Sequence, residues 1–129
     1  MSLTLAMVAA QAALQKTDEK TVLLDVQPLL SLTDYFVVSS GANPRQIKAI
    51  VDEVNRQVKL AGGHSPRQIE GLAQSEWVLV DYGSFIVHVF SNEARSVYGL
   101  ERLWADAKSM DLVSKSTSEV SDTYISAAK

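Results

Sequence analysis

The chain contains no cysteine. Disulfides and thiolate-held metals are therefore excluded, and the absence is compatible with the cytoplasm, the location expected here. Histidine is scarce: His64 falls in a polar loop and His88 inside an apolar run, and neither has a second histidine at metal-ligand spacing. An excess of positive charge is also lacking. Twelve basic residues stand against fifteen acidic ones, for a net charge of −3. Proteins that hold nucleic acid through its phosphates carry the opposite balance, so little direct nucleic-acid contact is expected and a basic protein surface is the better charged partner. No apolar run approaches the roughly 20 residues of a membrane span. Residues 1–14 are apolar, but no Lys or Arg precedes them and Gln11 interrupts them, which fits an amphipathic helix better than a signal peptide. The phosphate-binding patterns GxxxxGK[ST] and GxGxxG and the nucleophile pattern GxSxG are missing, as is any basic stripe with interleaved aromatics.

What is present is ordinary globular material. The 129 residues are 47% hydrophobic and 21% charged, enough for one domain with one core. Leu3, Met7, Ala10 and Leu14 recur at helical steps and predict a helix over 3–16. Val22–Val26 and Asp34–Ser40 read as strands with a short link, hence an antiparallel pair. Asn43, Pro44 and Gln46 are the cap, first-turn proline and capping-box residue of a helix. Its stripe is Ile47, Ile50, Val51, Val54, Val58 and Ala61, and Gly62-Gly63 ends it. A short strand is possible near Ile69. Trp77–Asp81 and Phe85–Phe90 predict a hairpin around Gly83, apolar on both faces and so central in a sheet. Ser91 caps a last helical region with apolar positions Val97, Leu100, Leu103, Trp104 and Ala107, and Gly99 breaks it in two. The expected fold is α/β (α+β), a mixed sheet of about four to five strands flanked by helices. Residues 1–110 form the domain and 111–129 a Ser/Thr-rich mobile tail.

Catalytic chemistry finds little support. His88 reads as a half-buried structural histidine unless a carboxylate or nucleophile lies beside it. Asp25, Asp34 and Asp81 could meet at strand ends and hold magnesium, but none is paired as Asp-x-Asp, and turn roles account for them. Ser39-Ser40-Gly41 before a helix is a weak anion site, because a strand end and a cap need those residues anyway. The stretch from Trp77 to Trp104 is richer. It holds both tryptophans, Tyr82, Tyr98, Phe85 and Phe90. Phe85 and Phe90 belong in the core. Trp77, Tyr98 and Trp104 are candidates for an exposed binding patch, with Glu76, Asp81, Glu101 and Asp106 as an acidic rim.

An ordered set of motifs carries a family resemblance. LLDV at 23–26 is followed by TDYFVVSSG at 33–41, then by Gln46, Ala49 and Ile50. IEG at 69–71, WVLVDYG at 77–83 and FIVHVF at 85–90 come next, and Arg95-x-x-Tyr98-x-Leu100-Glu101-x-Leu103-Trp104 closes the series. Over residues 3–107 the chain resembles the ribosomal silencing factors, the RsfS or Iojap family. The resemblance implies a nucleotidyltransferase-like core without enzyme activity or cofactor. It implies binding to the large ribosomal subunit through ribosomal protein fourteen, steric blocking of subunit joining, and slowed translation when nutrients run out; relatives point to a homodimer. It places partner-binding residues at Trp77, Asp81, Tyr98, Leu100, Glu101 and Trp104. His88 and Arg95 match motif positions and are open to a structural role. One departure is Gly83-Ser84, where the family has Gly-Asp, which removes an acid from the hairpin tip. The alternative is a metal- and nucleotide-dependent enzyme of nucleotidyltransferase type, for which the paired carboxylates are missing.

Overall fold

A computed structural model describes residues 2–113. The order is α1 (Ser2–Leu14), β1 (Thr21–Asp25), β2 (Tyr35–Gly41), α2 (Pro44–Leu60), β3 (Gln68–Glu70), β4 (Trp77–Asp81), β5 (Phe85–Ser91), α3 (Asn92–Tyr98), α4 (Leu100–Leu103) and β6 (Lys108–Leu112). The strands form one six-stranded sheet in the order β3-β4-β5-β2-β1-β6. β2 and β5 are parallel, and every other neighbouring pair is antiparallel. This is the expected mixed α/β class with one more strand than the upper expectation.

The extra strand is β6. Its sequence, KSMDL, offers only Met110 and Leu112 on the apolar side, too little alternation to stand out. Pairing with β1, from Thr21↔Leu112 to Asp25↔Lys108, supplies its backbone partners, and Leu112 is fully buried. The strand runs through the boundary expected at residue 110. Residues 114–129 of the expected tail lie outside the described residues.

α1 and α2 cover one face of the sheet. α2 forms as its sequence dictates: the Asn43 side chain accepts from the Gln46 N–H, Pro44 opens the first turn, and Ile47, Ile50, Val51, Val54 and Val58 are buried. Ala61 is exposed, because the helix has ended before it. α1 matches expectation in part: Ala10 and Leu14 face the core, but most of its buried side is alanine. Its buried residues are Ala6, Ala9, Ala10, Ala12, Ala13 and Leu14, while Leu3 is exposed and Met7 half-buried. Alanine at steps of three and four lets the helix axis come close to α2 and the sheet, and this close approach outweighs the larger side chains. Leu23, Val37, Val78, Val80, Phe85, Val87 and Val89 complete this core from below.

Among the described residues the opposite face is covered in part, by α3, α4 and, from the link after β1, Leu30. Ala94 and Leu100 pack there with Val22, Leu24, Phe36, Val38 and Phe90. Consequently β5 is buried on both sides, whereas β4 alternates between buried Val78 and Val80 and half-buried Trp77, Leu79 and Asp81. β4 is therefore not a fully covered central strand, as its composition indicated, but the neighbour of the short edge strand β3.

Gly71 fixes the entry to β4. It has φ +91°, and an added Cβ would stand 2.2 Å from the Trp77 carbonyl oxygen. We predict that Gly71→Ala lowers the unfolding free energy by about 2 kcal/mol or more, since both backbone strain and overlap oppose it. Denaturant unfolding followed by tryptophan fluorescence measures it; an unchanged midpoint would show that the loop relaxes freely.

Candidate docking face

Strand periodicity places Trp77, Leu79 and Asp81 of β4 opposite Phe90, His88 and Ile86 of β5, all on the face that α1 and α2 leave free. Trp77 is the centre of an aromatic group. Its ring lies 5.0 Å from Phe90, 4.9 Å from Tyr98 and 5.9 Å from His88. His88 in turn meets Phe36 edge-on at 4.6 Å, and Phe36 meets Trp104 edge-on at 5.4 Å. The rings thus run without a break from Tyr98 on α3, over β4, β5 and β2, to Trp104 after α4. Such offset and edge-on pairs suit the quadrupoles of the rings.

The short helices over this face expose apolar side chains to solvent. Tyr98 is 51% exposed, Val97 76% and Leu103 75%. Val97 and Leu103 were expected to pack inward; helices of one or two turns cannot turn every apolar side chain to the sheet. Gly99, with φ 58°, breaks the helical region as expected and leaves Tyr98 at the end of α3.

Of the six residues singled out for partner binding, the structure brings Trp77, Tyr98 and Trp104 onto one aromatic surface. Leu100 lies beneath them, 6% exposed, in the core. Glu101 is half-buried and receives two hydrogen bonds from Arg95, Nε to Oε1 at 3.1 Å and Nη2 to Oε2 at 2.9 Å. Asp81 sits at the far end of β4, about 13 Å along the strand from Trp77. Its Oδ1 accepts from the Gly83 N–H at 2.8 Å and closes the hairpin turn. Glu76 and Asp106, the other expected rim acids, are exposed. Composition missed Phe36, the ring that links His88 to Trp104. Its place could be found only by pairing β2 with β5.

Arg95 ties the helical end of this face to the sheet. Besides Glu101, its Nη1 donates to the Lys20 carbonyl at 2.7 Å and to Ser40 Oγ at 2.9 Å. The same interactions settle the serine-rich strand end. Ser40 Oγ is taken by Arg95, Ser39 Oγ accepts from the Thr21 hydroxyl, and the Ala42 N–H is taken by Gln46 Oε1. The capping glutamine thus reaches one residue further back than a capping box predicts, and the chain itself occupies the groups an anion would use. Asp25 follows turn chemistry, accepting from the Gln27 N–H, whereas Asp34 makes a contact distant in sequence, accepting from the Ser2 hydroxyl. Among the described residues no three His, Cys, Asp or Glu side chains group as metal ligands.

His88 is fully buried rather than half-buried. Its Nδ1 accepts from Trp77 Nε1 at 3.0 Å, and Nε2 has no partner among the described residues. Burial lowers its pKa from 6.5 to about 4. The fold and this face define the class: a small mixed-sheet α/β protein with one partly open aromatic surface.

Comparison with known proteins agrees. The family described as "Ribosomal silencing factor during starvation" matches residues 1–129. A relative from Bacillus subtilis (strain 168), named ribosomal silencing factor RsfS, is 38% identical over 105 residues, covering 81% of this chain and 88% of that one. The mouse protein named "Mitochondrial assembly of ribosomal large subunit protein 1" is 34% identical over 92 residues, 70% of this chain and 40% of its own. A crystal structure from Chromobacterium violaceum superposes with a TM-score of 0.76 at 32% identity, covering 81% of this chain and 87% of that one. The chain belongs to the ribosomal silencing factor family.

Two predictions concern the groups under the face. Because the folded state holds His88 neutral, its contribution is complete above pH 6.5. It is lost as pH falls from 6.5 to about 4 and is constant below that. The loss should reach about 3 kcal/mol. Unfolding midpoints across this range should fall for the unaltered protein and change less for His88→Leu; parallel curves would refute the assignment. Separately, Arg95→Lys should lower stability by about 2 kcal/mol, since an ammonium cannot reproduce the fork that reaches Glu101, Lys20 and Ser40 together. Thermal unfolding tests it, and an unchanged melting temperature is the contrary result.

Proposed function

We propose that this protein binds the large ribosomal subunit through ribosomal protein fourteen and prevents the small subunit from joining. It acts by occupying the joining surface, without a chemical step, and so represses translation in the cytoplasm when nutrients run out. The observation that carries the reading is the row of rings that joins Trp77 and Tyr98 to Trp104 on a sheet face that the described elements cover only in part. Aromatic side chains with apolar neighbours are what interface centres use. The exposed acids Glu76 and Asp106 suit a basic protein partner. The family's description names silencing during starvation, and the mouse relative's name refers to the large ribosomal subunit.

In this reading Trp77, Tyr98 and Trp104 make contact. Leu100 supports them from beneath, Glu101 sets α4 through Arg95, and Asp81 holds the hairpin tip at the edge of the contact. Steric exclusion needs only a stable complex, so its strength should follow the central rings. A homodimer of this chain is part of the proposal and would be read from sedimentation equilibrium.

Sedimentation of purified subunits, at magnesium concentrations that allow joining, tests it. The protein should travel with the large subunit, and free subunits should accumulate. Tyr98→Ala should weaken binding by about 2 kcal/mol or more with little change in folding, because the ring is half exposed. If the protein stays at the top of the gradient and joining proceeds, the reading is wrong.

A further inference from the structure

One hydrogen bond joins the open surface to the buried core. The Trp77 Nε1–H donates to His88 Nδ1 at 3.0 Å. Trp77 is half-buried and bears the exposed Tyr98 ring at 4.9 Å, while His88 is 4% exposed. An indole nitrogen can only donate, so Nδ1 must keep its lone pair. The proton of the neutral ring then sits on Nε2, which is buried and meets no acceptor among the described residues. A buried donor left unmade is costly, and a leucine would fill the place without that cost. The ring therefore carries a penalty as core filler, and what it adds in return is the acceptor under Trp77.

We propose that His88 is a positioning residue for the docking face: its neutral ring holds the Trp77 indole in the orientation a partner meets, and a proton on Nδ1 releases it. The inference rests on the docking reading above. A held ring loses less freedom on binding than a loose one, so orientation before contact raises affinity. With a proton on Nδ1, two N–H groups would face each other and the indole must turn away. The strands on either side present Val38 and Leu79 to His88. Further along this face, Asp81 of β4 is bonded to the Gly83 N–H, and Glu70 of β3, paired with Leu79, is bonded to Gln68. From α3 and α4 come Tyr98 and the Arg95–Glu101 ion pair, whose charges meet each other. On the far side Lys20 is paired with Asp111 of β6. Burial keeps the ring neutral, and the indole N–H aimed at Nδ1 acts in the same direction.

The test uses two readouts on the full chain. In the free protein, the indole N–H signal of Trp77 should exchange slowly with solvent. It should also shift on acid titration with a midpoint well below the ordinary histidine value of about 6.5. For binding to purified large subunits, His88→Leu should weaken affinity about tenfold and speed indole exchange. His88→Asn, which keeps an acceptor near the place of Nδ1, should restore most of both even though it packs less well. Thermal unfolding of each variant confirms that it is folded. A purely packing role predicts the reverse order, with Leu tolerated and Asn worse, and that order overturns the proposal. So does a Trp77 N–H that exchanges freely in the unaltered protein. If the unaltered protein fails to bind large subunits, the docking reading falls and takes the functional half with it, while the indole signal still decides whether His88 holds the ring.

Discussion

The parallel pairing of β2 with β5 is the constraint on which the other elements depend. Antiparallel neighbours can be joined by a tight turn, but parallel ones need a crossover. Here α2 belongs to that crossover, and it lays its stripe of Ile47, Ile50, Val51, Val54 and Val58 across one face. The alanine side of α1 settles beside it. Both long helices are thereby committed to the same side. Among the described residues after β5, only the two short helices α3 and α4 pack on the other side, and they cover it in part. An incompletely covered face is thus a result of connectivity, and the aromatic row occupies the boundary between its closed and open parts.

That boundary also explains why polar interactions concentrate under it. Short helices lack the apolar area to hold themselves in place, so α3 and α4 are fixed by Arg95. Its guanidinium reaches a carboxylate, a hydroxyl and a backbone carbonyl on three different elements. The run Arg95-x-x-Tyr98-x-Leu100-Glu101 then has a physical sense: the arginine and the glutamate brace the helical break, and the tyrosine at the break is left half exposed.

Much of this was legible in the sequence, for identifiable reasons. Asn43, Pro44 and Gln46 act locally, so the start of α2 could be read directly. Gly83 between two apolar runs gave the hairpin, and Gly99 gave the break in the last helical region. Elements that depend on a distant partner were less visible. β6 is defined by β1, far earlier in the chain, and its own residues alternate too weakly to announce a strand. The inward side of α1 was readable in part: Ala10 and Leu14 are buried and Met7 packs against the core, whereas Leu3 is exposed and the alanines that pack closest gave no large apolar signal. At the candidate face, Trp77 and Tyr98 were readable as half-exposed aromatics. The burial of Leu100, the engagement of Glu101 with Arg95 and the distance of Asp81 were not, since each depends on which way a side chain turns in the finished fold.

The two edges of the sheet bear on how this molecule keeps company with others. β3 is three residues long and exposes Gln68 and Glu70, and β6 exposes Lys108 and Ser109 along its outer margin. Short, charged margins are poor templates for a strand from a neighbouring molecule, which would have to strip water from those groups to zip on. Growth of sheet upon sheet is thereby discouraged at both ends. A protein with a partly uncovered face then carries less risk of fibre formation through its sheet edges.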